Sequence, residues 1–126
     1  MASSMAGGKR VLIVEDEALV RLMLGEMLTD LGHEIAAEAS RLDAALRMAA
    51  EMDYDLAVLD LNLGKGITLD VAEIVLERGK AMILSTGYGA AGLDSKYRNC
   101  VVLQKPYSQE ALGRAVELSL GGIAAN

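Results

Sequence analysis

Residues 56–63 read Leu-Ala-Val-Leu-Asp-Leu-Asn-Leu, an aliphatic run with a carboxylate set into it at Asp60. A run this short and this continuously apolar marks a strand buried on both faces rather than an amphipathic helix. A charge between Leu59 and Leu61 is costly there unless partners meet it, so Asp60 is the first candidate for function. Working outward, three similar runs recur: Val11–Val14, Ala81–Leu84 and Val101–Leu103. A weaker fifth, Glu34–Glu38, follows the helix-stop signal Leu31-Gly32.

Helical patterns separate these runs. Val20, Met23, Leu24, Met27, Leu28 and Leu31 keep the i, i+3, i+4 spacing of one buried stripe, with Leu19 and Leu22 on the opposite side. Ser40 with Asp43 forms a capping-box signature for a helix running to about Glu51. A third pattern covers Leu69–Arg78 and stops at Gly79, and a fourth starts with Ser108 as N-cap and ends near Leu120. The remaining helix falls within 87–97, where three glycines among the first six residues weaken it. Five alternations of strand and helix imply right-handed crossovers and a parallel sheet covered on both faces. Such sheets bind ligands at the carboxyl ends of their strands.

Composition sets the limits. A chain of 126 residues has room for one domain, and 52% apolar content without Phe or Trp calls for an aliphatic core. No apolar run approaches a membrane span. The single cysteine, Cys100, excludes an internal disulfide and reads as a buried thiol in a reducing cytoplasm. Eighteen acidic against twelve basic residues give a net charge of −6, which opposes direct contact with nucleic acid or anionic membrane. Residues 1–8 read as a flexible arm or cloning remnant, 9–121 as the folded domain and 122–126 as a tail.

The strand ends deliver Glu15-Asp16, Asp60, Ser85-Thr86 and Lys105-Pro106. If the first and third strands are neighbours, Glu15, Asp16 and Asp60 form one carboxylate cluster, which repels itself unless protonated or bridged by a cation. A hard divalent ion suits oxygen ligands, and magnesium accepts phosphoryl oxygens besides. Lys105 supplies positive charge where a transferred phosphoryl group builds up negative charge, and Thr86 offers a hydroxyl to the same oxygens. Asp60 is then a carboxylate nucleophile of the kind that forms aspartyl phosphates. Taken singly, Glu15 and Asp16 read as strand-end or helix-capping acids, Thr86 as a turn hydroxyl and Lys105 as a solvated loop lysine. Only the joint pattern promotes them.

The chain resembles a response-regulator receiver domain from about Lys9 to Leu120, on the acidic pair in VLIVEDE (11–17), the strand LAVLDLNL (56–63), the strand end LSTGY (84–88) and Lys105-Pro106. The resemblance implies a flavodoxin-like (βα)5 doubly wound parallel sheet in the order 2-1-3-4-5. It implies that Asp60 accepts a phosphoryl group from a histidine kinase or histidine phosphotransfer protein. Glu15, Asp16, Asp60 and the backbone carbonyl of Asn62 would hold Mg²⁺, while Thr86 and Lys105 would bind phosphoryl oxygens. The Lys105-Pro106 bond is often cis in the family. The module would be cytoplasmic, signal through a downstream protein partner as a monomer or phosphorylation-dependent dimer, and perform no chemistry beyond its own phosphorylation and dephosphorylation. It would stand alone or derive from a hybrid histidine kinase.

Several positions depart from the family pattern. Val102 stands where an aromatic switch residue is usual, and Gly64 and Thr68 stand where Pro and Gly are usual. Thr86-Gly87-Tyr88 resembles the stand-alone FAT GUY subgroup, with Leu84-Ser85 in place of its Phe-Ala. Two other functions share parts of the pattern. A haloacid-dehalogenase-like phosphatase also uses an aspartate and Mg²⁺, but wants an acid two residues on, where Asn62 stands. A flavodoxin-like FMN carrier needs a phosphate loop after the first strand, where this chain has Glu15, Asp16 and Glu17. Residues 87–92 match G-x-G-x-x-G, but the following strand ends in Gln104-Lys105 without the acid a dinucleotide site requires. His33 reads as a solvent-facing turn residue, and Leu19 and Leu22 as scattered surface apolars or a docking patch for the phosphodonor.

Overall fold

The computed structural model describes residues 8–61, 68–87, 97 and 100–121. Strands β1 (Arg10–Val14), β2 (Glu34–Ala39), β3 (Leu56–Asp60), β4 (Ala81–Thr86) and β5 (Val101–Gln104) form one parallel sheet in the order β2-β1-β3-β4-β5. Helices α1 (Ala18–Asp30), α2 (Leu42–Glu51), α3 (Thr68–Glu77) and α4 (Gln109–Ser119) cover it. This is the flavodoxin-like doubly wound arrangement, in the strand order, that the family resemblance implies. The segment 88–96, where a further helix is expected, lies outside the described residues, as do Asn62, Gly64 and residues 122–126. No helix among the described residues is long and apolar enough to cross a membrane.

Strand alternation divides the core in two. Val11, Ile13, Leu56, Val58, Ile83 and Leu103 face Leu24 and Leu28 of α1 and Leu112, Ala115 and Val116 of α4. Leu12, Val14, Ala57, Leu59 and Leu84 face Ala45 and Ala49 of α2 and Val71, Ala72 and Val75 of α3. A fully buried leucine contributes about 2 kcal/mol relative to exposure, and β3 has every residue buried while β1 and β4 have all but their first, which is why they read as continuous apolar runs. Tyr54 fastens the end of α2: its hydroxyl donates to the Ala49 carbonyl at 2.7 Å. Arg78 donates to Ala49 O at 2.7 Å and to Met52 O at 2.9 Å, with its guanidinium 5.1 Å from the Tyr54 ring centre. Carbonyls at a helix end thereby find donors.

Helix boundaries follow local chemistry, with one revision. Ser108 caps α4, its hydroxyl oxygen accepting from Ala111 N at 3.1 Å, and Gly79 beyond α3 takes a left-handed φ of 71°. Ser40 does not cap α2. Arg41 is still extended at φ −135°, so the helix begins at Leu42 and no side chain caps it. Asp43 instead accepts from the next amide, Ala44 N, at 2.9 Å.

Three further expectations are corrected. Met23 is 50% exposed: Leu24 and Leu28 of the α1 stripe are buried against the sheet and Met27 and Leu31 partly so, while Met23 lines an open cleft with Val20, Met27, Pro106 and Tyr107. His33 is half-buried, not solvent-facing: its Nδ1 accepts from Lys9 N at 3.1 Å, tying the chain before β1 to the turn before β2. Cys100 is only partly buried, which suffices to push its thiol pKa up.

Candidate functional site

Register builds the site. Val14 pairs with Leu59 and Asp60 with Ser85, so the residues that end β1, β3 and β4 lie side by side at the carboxyl edge of the sheet. Alternation puts Glu15, Asp60 and Ser85 on the face that carries Ile13, Val58 and Ile83, the side covered by α1 and α4. Lys105, two residues past Leu103 of that face, follows β5, and its amide extends the ladder by donating to Thr86 O at 2.8 Å. The Lys105–Pro106 bond is cis.

Three side chains converge tightly. Lys105 Nζ lies 3.0 Å from Glu15 Oε1 and 3.3 Å from Asp60 Oδ1, and both carboxylates are 2% exposed. The other Glu15 oxygen accepts from Glu17 N at 3.1 Å. Asp16 is exposed, yet it completes a group in which ligand oxygens of Glu15, Asp16 and Asp60 all lie within 4.8 Å of one another. Burial pushes the Glu15 pKa up to about 7, with the Asp60 charge adding to the effect, while the Lys105 hydrogen bond and the Glu17 amide oppose it. Burial works against the Lys105 ammonium too. The hydrogen bond to Glu15 and the charges of Asp60 and Glu15 outweigh it and hold Lys105 above its ordinary pKa.

The cluster therefore carries more negative charge than one lysine balances, and that charge adds to burial in raising the Glu15 pKa. An oxygen-only donor set with a carboxylate open to solvent fits a hard divalent cation of the magnesium type, which retains several waters. Asn62, the remaining expected ligand, lies outside the described residues. Thr86 is buried at the end of β4. By alternation its side chain leaves on the face of Leu84, opposite to Asp60, so the strand brings it to the same edge but not to the same side.

Arg21 and Tyr107 belong to this neighbourhood, and sequence reasoning passed over both. Arg21 Nη1 donates to the Glu15 carbonyl at 2.9 Å and its Nε lies 3.4 Å from Glu38 Oε1, while its amide closes the first turn of α1 on Glu17 O at 2.9 Å. The loop carrying Glu15 and Asp16 is thus held at both ends. The available signal was spacing, since Arg21 stands one helical turn past Glu17. Tyr107 lies close enough for the charges of Glu15, Lys105 and Asp60 to act on it, and its phenol is pushed up chiefly by burial.

A parallel sheet in this order carries a buried aspartate, an acidic pair and a lysine at its carboxyl edge, and the response regulator receiver domain profile matches residues 11–117. The chain belongs to that family. It is 34% identical over 116 residues to the transcriptional regulatory protein PdtaR of Mycobacterium tuberculosis, covering 89% of this chain and 57% of PdtaR. The chain thus spans little more than half the length of that relative. It is 28% identical to a probable chemotaxis protein CheY of Rhizobium etli, covering 95% and 98% of the two chains. Among solved structures, SdrG from Sphingomonas melonis matches at 32% identity with a TM-score of 0.77 over 88% of this chain and 95% of SdrG. The receiver domain of Erythrobacter litoralis PhyR matches at 27% identity with a TM-score of 0.78 over 92% of each chain.

Proposed function

We propose that Asp60 is the phosphoacceptor of a two-component or phosphorelay signalling system, charged by a histidine kinase or histidine phosphotransfer protein in a Mg²⁺-dependent reaction. The observation that carries this reading is the buried Asp60 carboxylate, paired at 3.3 Å with Lys105 and grouped with Glu15 and Asp16. An Asp60 oxygen attacks phosphorus, the N–P bond of the donor phosphohistidine breaks, and its electron pair stays on the imidazole, which takes a proton from solvent. Lys105 moves with the charge, holding the attacking carboxylate before transfer and a phosphoryl oxygen after it. Thr86 reaches the phosphoryl group by turning its hydroxyl toward the strand end. Glu15, Asp16 and Asp60, with the Asn62 carbonyl, would hold Mg²⁺, which when bound neutralises charge on the phosphoryl oxygens.

The phosphodonor docks on α1. Leu19, Leu22 and Met23 are 67%, 58% and 50% exposed on the helix that follows the acidic pair, and a net charge of −6 favours a protein partner over nucleic acid. Output passes through protein contacts.

Incubation with Mg²⁺ and acetyl phosphate, followed by intact-mass measurement, tests the acceptor assignment. The wild type gains one phosphoryl group and Asp60→Asn gains none. Uptake by Asp60→Asn equal to that of the wild type would place the acceptor elsewhere.

A further inference from the structure

Ser85 is 2% exposed, and its Oγ is the buried side-chain polar atom that finds no hydrogen-bond partner among the described residues. Buried hydroxyls without partners are rare in folded proteins. The preceding β4 residues, Met82, Ile83 and Leu84, are apolar, and an alanine at 85 would fill the strand without stranding a hydroxyl. The surroundings narrow what Ser85 serves. On one side its register partner is Asp60 and on the other Leu103, and adjacent strands run about 4.8 Å apart with paired side chains on the same face. From the helix layer Tyr107 approaches. Its phenol is near enough for the Ser85 hydroxyl to favour the ionised form, yet the two are not aligned as a hydrogen bond. The polar group that Ser85 stands beside in the sheet is therefore the acceptor carboxylate.

Resting on the acceptor reading above, we propose that the Ser85 hydroxyl donates to the Asp60 carboxylate as the aspartyl phosphate breaks down, shortening the life of the phosphorylated state. In hydrolysis a water oxygen bonds to phosphorus and the bond from phosphorus to the Asp60 oxygen breaks. The electron pair returns to Asp60 as carboxylate, and the proton of the water leaves with the phosphate. Negative charge grows on Asp60 during this step. A hydroxyl on the neighbouring strand, at the register position of Asp60, lowers the barrier when it turns to that oxygen. Lys105 is shared between Asp60 and Glu15, whereas Ser85 makes no hydrogen bond among the described residues that it would have to give up. Tyr107 is a positioning residue: its phenol, already close to Ser85, turns to donate to Ser85 Oγ and so directs the serine proton toward Asp60.

The test follows phosphoryl loss from the full chain. Wild type, Ser85→Ala, Ser85→Cys, Ser85→Thr and Tyr107→Phe are charged with acetyl phosphate and Mg²⁺, freed of donor by desalting, and sampled by intact mass, with melting temperatures recorded for each. Loss of one hydrogen bond to a charged group lengthens the lifetime about tenfold in Ser85→Ala. Ser85→Cys, near in size but a weak donor, behaves alike and stands in if the alanine variant does not fold. Ser85→Thr, which keeps the hydroxyl, returns most of the lost rate, and Tyr107→Phe is intermediate. A Ser85→Ala or Ser85→Cys lifetime equal to or shorter than wild type overturns the proposal, as does a lifetime change that follows melting temperature across the Ala, Cys and Thr variants. A wild type that takes up no phosphoryl group overturns the acceptor reading itself, and this inference with it.

Discussion

Glu15 makes the stability of the metal-free protein fall as pH rises, against the usual behaviour of a carboxylate. Its pKa stands at about 7 against an ordinary 4.5, burial being the main cause. A raised acid holds its proton in the folded chain while the unfolded chain has released it, so its contribution is fully present below pH 4.5 and is lost as pH rises through about 7. At about 1.4 kcal/mol per pKa unit, the loss across that window is on the order of 3 kcal/mol, or roughly 10 °C of melting temperature for a domain of this size. His33 works in the opposite sense. Burial and the charge of Lys9 lower its pKa, so its stabilising effect is present above its ordinary value and is lost as pH falls. Comparing wild type with Glu15→Gln cancels that contribution. Thermal melts by circular dichroism in a chelator between pH 5 and 8 should show the wild type falling relative to Glu15→Gln as pH increases. A difference between the two that stays flat, or that grows in favour of the wild type, refutes the reasoning. The same proton competes with any cation at the cluster, so Mg²⁺ affinity measured by calorimetry rises across the same window.

Two further substitutions test how the fold and the site are held. Lys105→Met removes an ammonium lying 3.0 and 3.3 Å from two buried carboxylates. With part of the repulsion relieved by a proton on Glu15, it costs about 2 kcal/mol in urea denaturation and abolishes phosphoryl uptake, whereas unchanged stability would mean that the pairing contributes nothing. Tyr54→Phe removes a hydroxyl from Ala49 O but leaves that carbonyl bonded to Arg78 at 2.7 Å. The cost is about 1 kcal/mol, and a loss above roughly 3 kcal/mol would show that Tyr54 does more than supply a second donor.

The strands and the acids at their ends were legible because they rest on patterns one strand long, whereas the strand order came from the family resemblance. Val11–Val14 and Leu56–Leu59 are apolar at every position, and such runs end where polar residues must emerge at the sheet edge, so Glu15, Asp16 and Asp60 form one cluster once β1 and β3 are neighbours, as their pairing makes them. The cap of α2 was not legible. Ser40 and Asp43 have the right spacing, but the extended backbone of Arg41 delays the helix by a residue, and backbone dihedrals at a boundary depend on packing. Met23 and His33 were misplaced for related reasons. Helical periodicity marks an apolar face without saying how far the sheet reaches along it, and nothing local announces that a turn histidine will meet the amide of Lys9, 24 residues away. Ser85 was read as a strand end, and only register shows that it stands beside Asp60 rather than beside Leu61.

That register has a consequence for how one strand end can carry two duties. Ser85 and Thr86 are consecutive, so alternation sends them to opposite faces: Ser85 to the side of Glu15, Asp60 and Lys105, and Thr86 to the side of Leu84 and Val102. On the proposed reading the two residues sense the same event through different atoms. Ser85 meets the carboxylate oxygen that keeps the electron pair when the phosphoryl group leaves, whereas Thr86 meets the phosphoryl oxygens, which stand beyond the strand end where both faces can be reached. Removing the Ser85 hydroxyl therefore changes how long the signal lasts without removing the group that detects it. Removing the Thr86 hydroxyl blunts detection while the path for charge return stays in place. Signal lifetime and signal detection are then set by neighbouring residues on opposite faces of one sheet, and each can be altered with the other left unchanged.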